Sequence, residues 1–116
     1  MSFWVYLNDH EDEPVRVSEH REGGVYRANG CDEAELNVSY NFSEFYHLTL
    51  DEELGLRWLN GRMAKDVLER LRFAVSKLGD KKNPDPWKPE AGNAGHALKI
   101  LLDWAERNPE ATFVVL

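Results

Sequence analysis

The sequence predicts an α+β fold, in which a mainly antiparallel sheet of about five strands packs against two long helices on one face. In the first half of the chain, apolar residues recur at every second position, which is typical of strands that bury one face. In the second half the spacing becomes three or four residues, which is typical of amphipathic helices. A short apolar segment follows the helices. The predicted order is therefore β-β-β-β-α-α-α-β, arranged as a two-layer sandwich.

Four strands are predicted before the first helix, over residues 3–7, 15–17, 25–28 and 34–41. Short turns separate these strands, which favours an antiparallel meander. The fourth strand has the clearest alternation of apolar and polar residues. Its apolar face comprises Ala34, Leu36, Val38 and Tyr40, and its polar face comprises Glu35, Asn37, Ser39 and Asn41.

The first two predicted helices follow in the middle of the chain. Thr49 and Glu52 have the spacing of a capping box, which predicts a short helix that Gly55 interrupts. A long amphipathic helix is predicted over residues 61–78, and Gly79 is placed to end it.

A second long helix and a closing strand complete the prediction. Asn93 is a suitable N-cap for a helix over residues 94–107. The apolar stripe of this helix covers more than half of the helical wheel, so we expect it to contact both the sheet and the other long helix. Residues 112–116 are continuously apolar, which predicts a strand inside the sheet that pairs with the first strand.

The length and composition are those of one domain covering residues 1–116. Cys31 is the only cysteine, so no disulfide forms within the chain and a reducing cytoplasm is expected. The first residues lack the pattern of a secretory signal, and no apolar run approaches the ~20 residues that a membrane helix requires.

The net charge of −7 is distributed unevenly along the chain. Residues 1–56 hold 13 acidic and 3 basic side chains, whereas residues 57–116 hold 8 acidic and 11 basic ones. An acidic chain repels nucleic acid and anionic lipid, so neither is an expected partner. Two interpretations of the asymmetry remain: the two halves attract each other within one domain, or an acidic face binds a basic partner.

The sequence contains no recognisable catalytic, metal or cofactor motif, which favours a protein that is not an enzyme. His20, His47 and His96 fall on different predicted elements, so a zinc site is not expected. The acidic segment at residues 10–13 lacks the spacing of a calcium loop. Acidic neighbours raise the pKa of the Cys31 thiol, which argues against an activated nucleophile.

Two segments have the residue types of a binding site. Asn37, Ser39 and Asn41 form a ladder of uncharged hydrogen-bonding groups, which either binds a polar ligand or partner or is simply hydrated. The second segment, the helix start at residues 92–96, offers free N–H groups to an anion next to two glycines. The alternative there is that Asn93 caps the helix and the glycines allow close packing.

Two aromatic residues suggest an interface. Phe73 falls on the charged face of the first long helix, and Trp87 lies in a loop with three prolines. They are expected to form a self-association patch, with Phe73 either in a homodimer contact or under the Pro-rich loop.

The segments ELNVSYNFS (residues 35–43) and GNAGHAL (residues 92–98) resemble a family of short uncharacterised proteins of bacteria, archaea and their phages. The resemblance implies a stand-alone cytosolic protein of mobile-element origin, and it carries no activity and no catalytic residues. It also implies that the two segments lie together. In that case one ligand site is outlined by Asn37, Tyr40, Asn41, Asn93 and His96, or the segments meet only because they pack.

The leading hypothesis is a non-enzymatic protein-interaction domain that has an acidic or polar sheet surface, forms a homodimer and binds no cofactor. The alternative is a small enzyme or an anion-binding protein with a pocket between Asn41 and His96. A third hypothesis, an acidic mimic of nucleic acid, requires acidic residues spaced along one face.

Overall fold

The computed structural model describes residues 1–20 and 31–116, and it confirms the α+β fold class. The strands are β1 (Ser2–Asn8), β2 (Arg16–His20), β3 (Cys31–Glu33), β4 (Glu35–Ser39) and β5 (Thr112–Val115). The helices are α1 (Ser43–Thr49), α2 (Ala64–Leu78) and α3 (Ala91–Arg107), and 3₁₀ turns cover Tyr40–Phe42 and Gly55–Leu59. The strand predicted over residues 25–28 lies outside the described residues.

The first strand is the centre of the main sheet. This sheet has the order β4-β1-β5, and both neighbours run antiparallel to β1. The pairing of the last strand with the first is therefore confirmed. Alternate residues of β1 are buried, and the strands on either side bury residues at matching positions, so the sheet presents one continuous apolar face. That face comprises Phe3, Val5, Leu7, Leu36, Val38, Phe113 and Val115.

The predicted meander of four consecutive strands is wrong. β4 pairs directly with β1, placing Val38 opposite Phe3 and Leu36 opposite Val5, while β2 and β3 form a separate two-stranded sheet. The physical reason is burial. β1, β4 and β5 bury their alternating apolar residues and form one sheet, whereas Val15 and Val17 in the segment of β2 are only partly buried.

The prediction that β5 lies inside the sheet is also wrong, because β5 is an edge strand. Its outer side is nevertheless covered by the chain before α2. The amide of Gly61 donates to the carbonyl of Phe113, whose own amide donates to the carbonyl of Arg62. The Asn60 side chain accepts from the amide of Val115 at 2.9 Å. This edge therefore has backbone partners on both sides, which accounts for its apolar character.

The short helix is displaced from its predicted position, and the capping box at Thr49 does not exist. Thr49 ends α1, and its hydroxyl donates to the carbonyl of Phe45 at 2.8 Å. Asp51 accepts instead from the amides of Glu53 and Leu54, at 3.1 and 2.8 Å. Carboxylates readily accept hydrogen bonds from backbone amides in such turns. Asp51 therefore takes the capping role that the sequence pattern assigned to Thr49, two residues earlier.

The two long helices supply the other layer of the core. α2 begins at Ala64, three residues later than predicted, because the preceding residues run beside β5. It ends as predicted at Gly79, whose φ of 75° favours glycine. α3 packs along α2 and is buried over most of its length, as its wide apolar stripe predicts.

Tyr46 connects α1 to α3 in the interior. Its side chain is fully buried, and its hydroxyl donates to the carbonyl of Ala94 at 3.0 Å. Burial raises the pKa of this phenol well above its usual range, because the charged form would lose its hydration. Tyr46 therefore ties the segment after β4 to the first turns of α3 in its neutral form.

We expect Tyr46→Phe to lower the free energy of unfolding at neutral pH by about 1 kcal/mol, the usual net value of one hydrogen bond. The wild type also loses stability as pH rises above about 10, where the unfolded phenol ionises and the folded one does not. Urea denaturation at neutral pH and at a pH above about 10 tests this. The difference in free energy of unfolding between wild type and Tyr46→Phe should shrink at the higher pH. An identical pH dependence for both proteins would contradict it.

Candidate functional site

A polar recess lies where β4 ends. Its volume is about 340 Å³, and it is lined by Met1, Ser2, Asn37, Ser39, Asn41 and Trp87. Two of the predicted ligand residues, Asn37 and Asn41, therefore lie in one cavity, and Trp87 joins them from the Pro-rich loop.

Hydrogen bonds across β1 and β4 fix the floor of this recess. The Asn37 side chain donates to the Ser2 hydroxyl at 2.6 Å and to the carbonyl of Phe3 at 3.4 Å. The Ser39 hydroxyl accepts from the amide of Asn41 at 3.1 Å, which turns the chain from β4 into the 3₁₀ segment. Asn37 and Ser39 are both buried, so the floor is rigid and polar.

The loop that carries Trp87 is attached to the recess by Asn41. The amide nitrogen Nδ2 of Asn41 donates to the carbonyl of Trp87 at 2.8 Å, across 46 positions of sequence. The indole remains 39% exposed. Because the donor end of Asn41 is occupied in this way, its acceptor oxygen is the part of the side chain that suits an N–H group of a ligand.

Asn93, which lies in α3, bonds to the same loop. It is not the N-cap of α3 as predicted, because the helix begins at Ala91 and Asn93 is its third residue. Its fully buried side chain donates to the carbonyls of Asp85 and Lys88, at 3.1 and 2.9 Å, and accepts from the amide of Asn83 at 2.8 Å. The carbonyls on both sides of Trp87 are thereby held in place.

The two glycines of α3 allow close packing. A Cβ atom at Gly95 would overlap the carbonyl oxygen of Gly79, and one at Gly92 would overlap that of Lys81. The space beside the glycines is therefore occupied by the chain that follows α2. Carbonyl oxygens are acceptors and repel anions, so this geometry favours the packing interpretation over an anion site.

Tyr40, Asn93 and His96 do not line the recess. The Tyr40 ring packs edge-on against Phe3 at 4.6 Å, and its hydroxyl lies 3.4 Å from the guanidinium of Arg57. His96 is half-buried in α3. The structure thus brings Asn37 and Asn41 together, gives Asn93 a positioning role through the loop, and separates Tyr40 and His96 from the cavity.

The predicted interface residues have different surroundings. Phe73 is 45% exposed, so the Pro-rich loop does not bury it, and its ring faces Arg70 and Lys77. Trp87 is placed instead by its contact with Asn41. Sequence analysis missed Ser2 as part of the recess, because only the register of β1 on β4 reveals it.

A second cavity, of about 390 Å³, lies between the turn after β1 and the start of β5. It is lined by Asp9, His10, Val15 and residues 108–111. The Asp9 carboxylate already accepts from the amides of Glu11 and Glu13.

In the part of the chain that the structure describes, no cluster of three or more His, Cys, Asp or Glu side chains could hold a metal ion. Over the same residues, every helix is too short or too polar to cross a bilayer.

We expect Gly95→Ala to lower the free energy of unfolding by about 2 kcal/mol, the usual cost of overpacking. In an exposed helix the same change raises stability by about 1 kcal/mol, so the sign reports the contact with Gly79. Gly61→Ala shows the effect of backbone strain without overlap, because Gly61 has open space around it but a φ of 80°, and it should lose about 1 kcal/mol. Urea denaturation measures both, and a stabilising Gly95→Ala would contradict the packing.

We expect Asn93→Ala to cost about 2 kcal/mol, since three backbone groups lose a buried partner. Tryptic cleavage after Lys82 should become faster as the loop loosens. His96→Ala, one helical turn later, is the control and should change stability by less than about 0.5 kcal/mol. Equal stability and cleavage in the two variants would show that Asn93 does not hold the loop.

Comparisons with protein-family models, with curated proteins and with solved structures found no match to this chain. The resemblance to short uncharacterised bacterial, archaeal and phage proteins therefore stays a prediction. Its two segments do lie near each other, because the 3₁₀ turn Tyr40–Phe42 contacts α3 and Asn41 bonds to the loop that Asn93 holds.

Proposed function

We propose that the protein is a polypeptide-binding domain without catalytic activity, and that its binding site is the recess at the end of β4 with Trp87 at the rim. The observation that carries this proposal is an exposed tryptophan, Trp87, on a backbone that is held in place. Asn41 and Asn93 hold the carbonyls of Asp85, Trp87 and Lys88 from two sides.

An ordered exposed tryptophan is suited to binding a polypeptide. Tryptophan is enriched among the residues that dominate interface energies, because it removes a large apolar area from water. A loop that is already ordered loses little conformational entropy when it binds. Here the two asparagines order the loop within the folded chain, so binding does not have to do so.

The chemistry of the recess indicates the kind of segment that binds. Its floor and wall present the amides and hydroxyls of Ser2, Asn37, Ser39 and Asn41, which are uncharged. Such groups recognise backbone amides and polar side chains through hydrogen bonds. We therefore propose a neutral, hydrogen-bonding segment with an apolar residue that packs on Trp87.

A small polar ligand is the second candidate, because a volume of about 340 Å³ is at the small end of the range for ligand sites. The anion site at the start of α3 has less support, because the carbonyl oxygens of Gly79 and Lys81 fill the space beside its glycines. A cytoplasmic location is proposed on the sequence argument alone, from the single cysteine.

Selection of a displayed random peptide library on the immobilised protein tests the proposal. We expect selected peptides to lose at least about 30-fold in affinity for Trp87→Ala, the size of a hot-spot effect. Phe73→Ala is the matched control, because it removes an exposed aromatic ring that lies outside the recess.

Two results would overturn this function. One is the absence of any enriched peptide, in which case amide shifts of Asn37 and Asn41 in a fragment screen would assign the recess to a small ligand. The other is a set of peptides that bind wild type and Trp87→Ala equally well.

A further inference from the structure

A stripe of alternating cationic and aromatic side chains runs along the exposed side of α2 and the preceding 3₁₀ turn. We call it the cation–aromatic ridge, and it comprises Trp58, Arg62, Arg70, Phe73 and Lys77. The Arg62 guanidinium lies 4.4 Å from the centre of the Trp58 ring, and that of Arg70 lies 6.0 Å from Trp58 and 5.9 Å from Phe73. The Lys77 ammonium lies 5.6 Å from the Phe73 ring.

The cations of the ridge differ from other basic side chains of α2. Lys65 and Arg72 lie 3.5 and 3.1 Å from the carboxylates of Glu110 and Glu106. The ridge cations are instead placed against ring faces, which hold their stems in position without neutralising their charge. Guanidinium and ammonium groups in this arrangement can still donate hydrogen bonds to carboxylates.

An ordered acidic turn elsewhere in the chain has the complementary charge. In residues 9–13, hereafter the acidic turn, the Asp9 carboxylate accepts from the amides of Glu11 and Glu13 at 2.9 and 3.2 Å. The Glu11 side chain is 75% exposed, and Asp12 and Glu13 are exposed as well. The turn therefore presents several carboxylates on a backbone that is already fixed.

The acidic turn and the part of the ridge formed by Arg70, Phe73 and Lys77 lie at different positions along α2. Asp9 and His10 line a cavity with residues 108–111, and this segment is bonded to the start of α2 through the amides of Ala64 and Lys65. The acidic turn is thus near the N-terminal end of the helix. Residues 70–77 lie roughly 9–20 Å further along its axis at 1.5 Å per residue.

We propose that two copies of this chain associate about a twofold axis with their α2 helices antiparallel. In this arrangement the acidic turn of each copy meets Arg70, Phe73 and Lys77 of the other, so the same contact forms twice. Residues 70 and 77 are about 10 Å apart along the helix, which a five-residue turn with carboxylates at Glu11 and Glu13 can span.

The net charge of −7 opposes association at long range, but it does not prevent this contact. At physiological ionic strength, charges further apart than about 8 Å are largely screened, whereas carboxylates touching guanidinium groups are not. Phe73 adds apolar area at the centre of the contact. The ridge lies apart from the recess residues, so this inference does not depend on the proposed function.

Sedimentation velocity over a concentration series tests the proposal with paired charge reversals. We expect the wild type to dimerise, more weakly as NaCl is added. Arg70→Glu with Lys77→Glu removes the positive side of the contact, and Glu11→Lys with Glu13→Lys removes the negative side. Each double variant alone should weaken the dimer at least about tenfold, since like charges then face each other.

The 1:1 mixture of the two double variants is the decisive measurement. In a heterodimer, one contact pairs the native ridge with the native turn, and the other pairs the reversed ridge with the reversed turn. Both contacts are then attractive, so the mixture should regain the wild-type dimer. Lys99→Glu, whose lysine lies on α3 and pairs with Asp103, is the control and should leave the dimer unchanged.

Three outcomes would overturn the proposal: a wild type that stays monomeric at the highest concentration, variants that dimerise normally, and a mixture that stays monomeric. Fluorescence polarisation with a labelled oligothymidylate completes the test. Binding that requires Arg70 and Lys77 but not Glu11 and Glu13 would reassign the ridge to single-stranded nucleic acid.

Discussion

The close approach of α3 to the chain that leaves α2 is the constraint on which the candidate site depends. It exists because Gly92 and Gly95 have no side chains, so the carbonyl oxygens of Lys81 and Gly79 come within contact distance of the helix. This approach brings the following loop over Asn93, whose buried side chain then bonds to it three times. The exposed position of Trp87 is the last consequence. A surface feature is thus determined by two missing side chains in the interior.

The sequence predicted well those features that depend on local periodicity. The alternation over β4, the amphipathic face of α2 and the wide stripe of α3 each report burial, which sets both the pattern and the structure. The arrangement of the strands was less predictable. Short turns favour pairing between strands that are neighbours in sequence. β1 and β4 instead pair with each other, and the segment between them contains β2 and β3, which form a separate sheet. Periodicity shows which residues are buried but not which strands lie side by side.

The candidate site was only partly predictable, because its residue types were informative and their roles were not. Asn93 is a good example. Asparagine before an amphipathic segment indicates an N-cap, yet here it lies inside the helix and bonds to a loop five to ten residues earlier in the chain. The bond from Asn41 to Trp87 spans 46 positions and has no local signature. Local periodicity has no information about which distant segments lie together, so the contacts between residues 40–42 and α3 could not be read from it.

The positions of the ion pairs show how the unequal charge of the two halves is arranged in the structure. Lys65, Arg72, Lys88 and Lys99 all pair with carboxylates of the second half, so these pairs use its basic side chains on its own acids. They do not offset the acidic first half. Each is exposed and contributes little to stability, so their main effect is to leave the cations near Trp58 and Phe73 as the concentrated positive charge of α2. The acidic turn lies near the N-terminal end of α2, and Arg70 and Lys77 lie further along it, so these charges do not meet within one molecule. An antiparallel pair of such helices would bring them together twice.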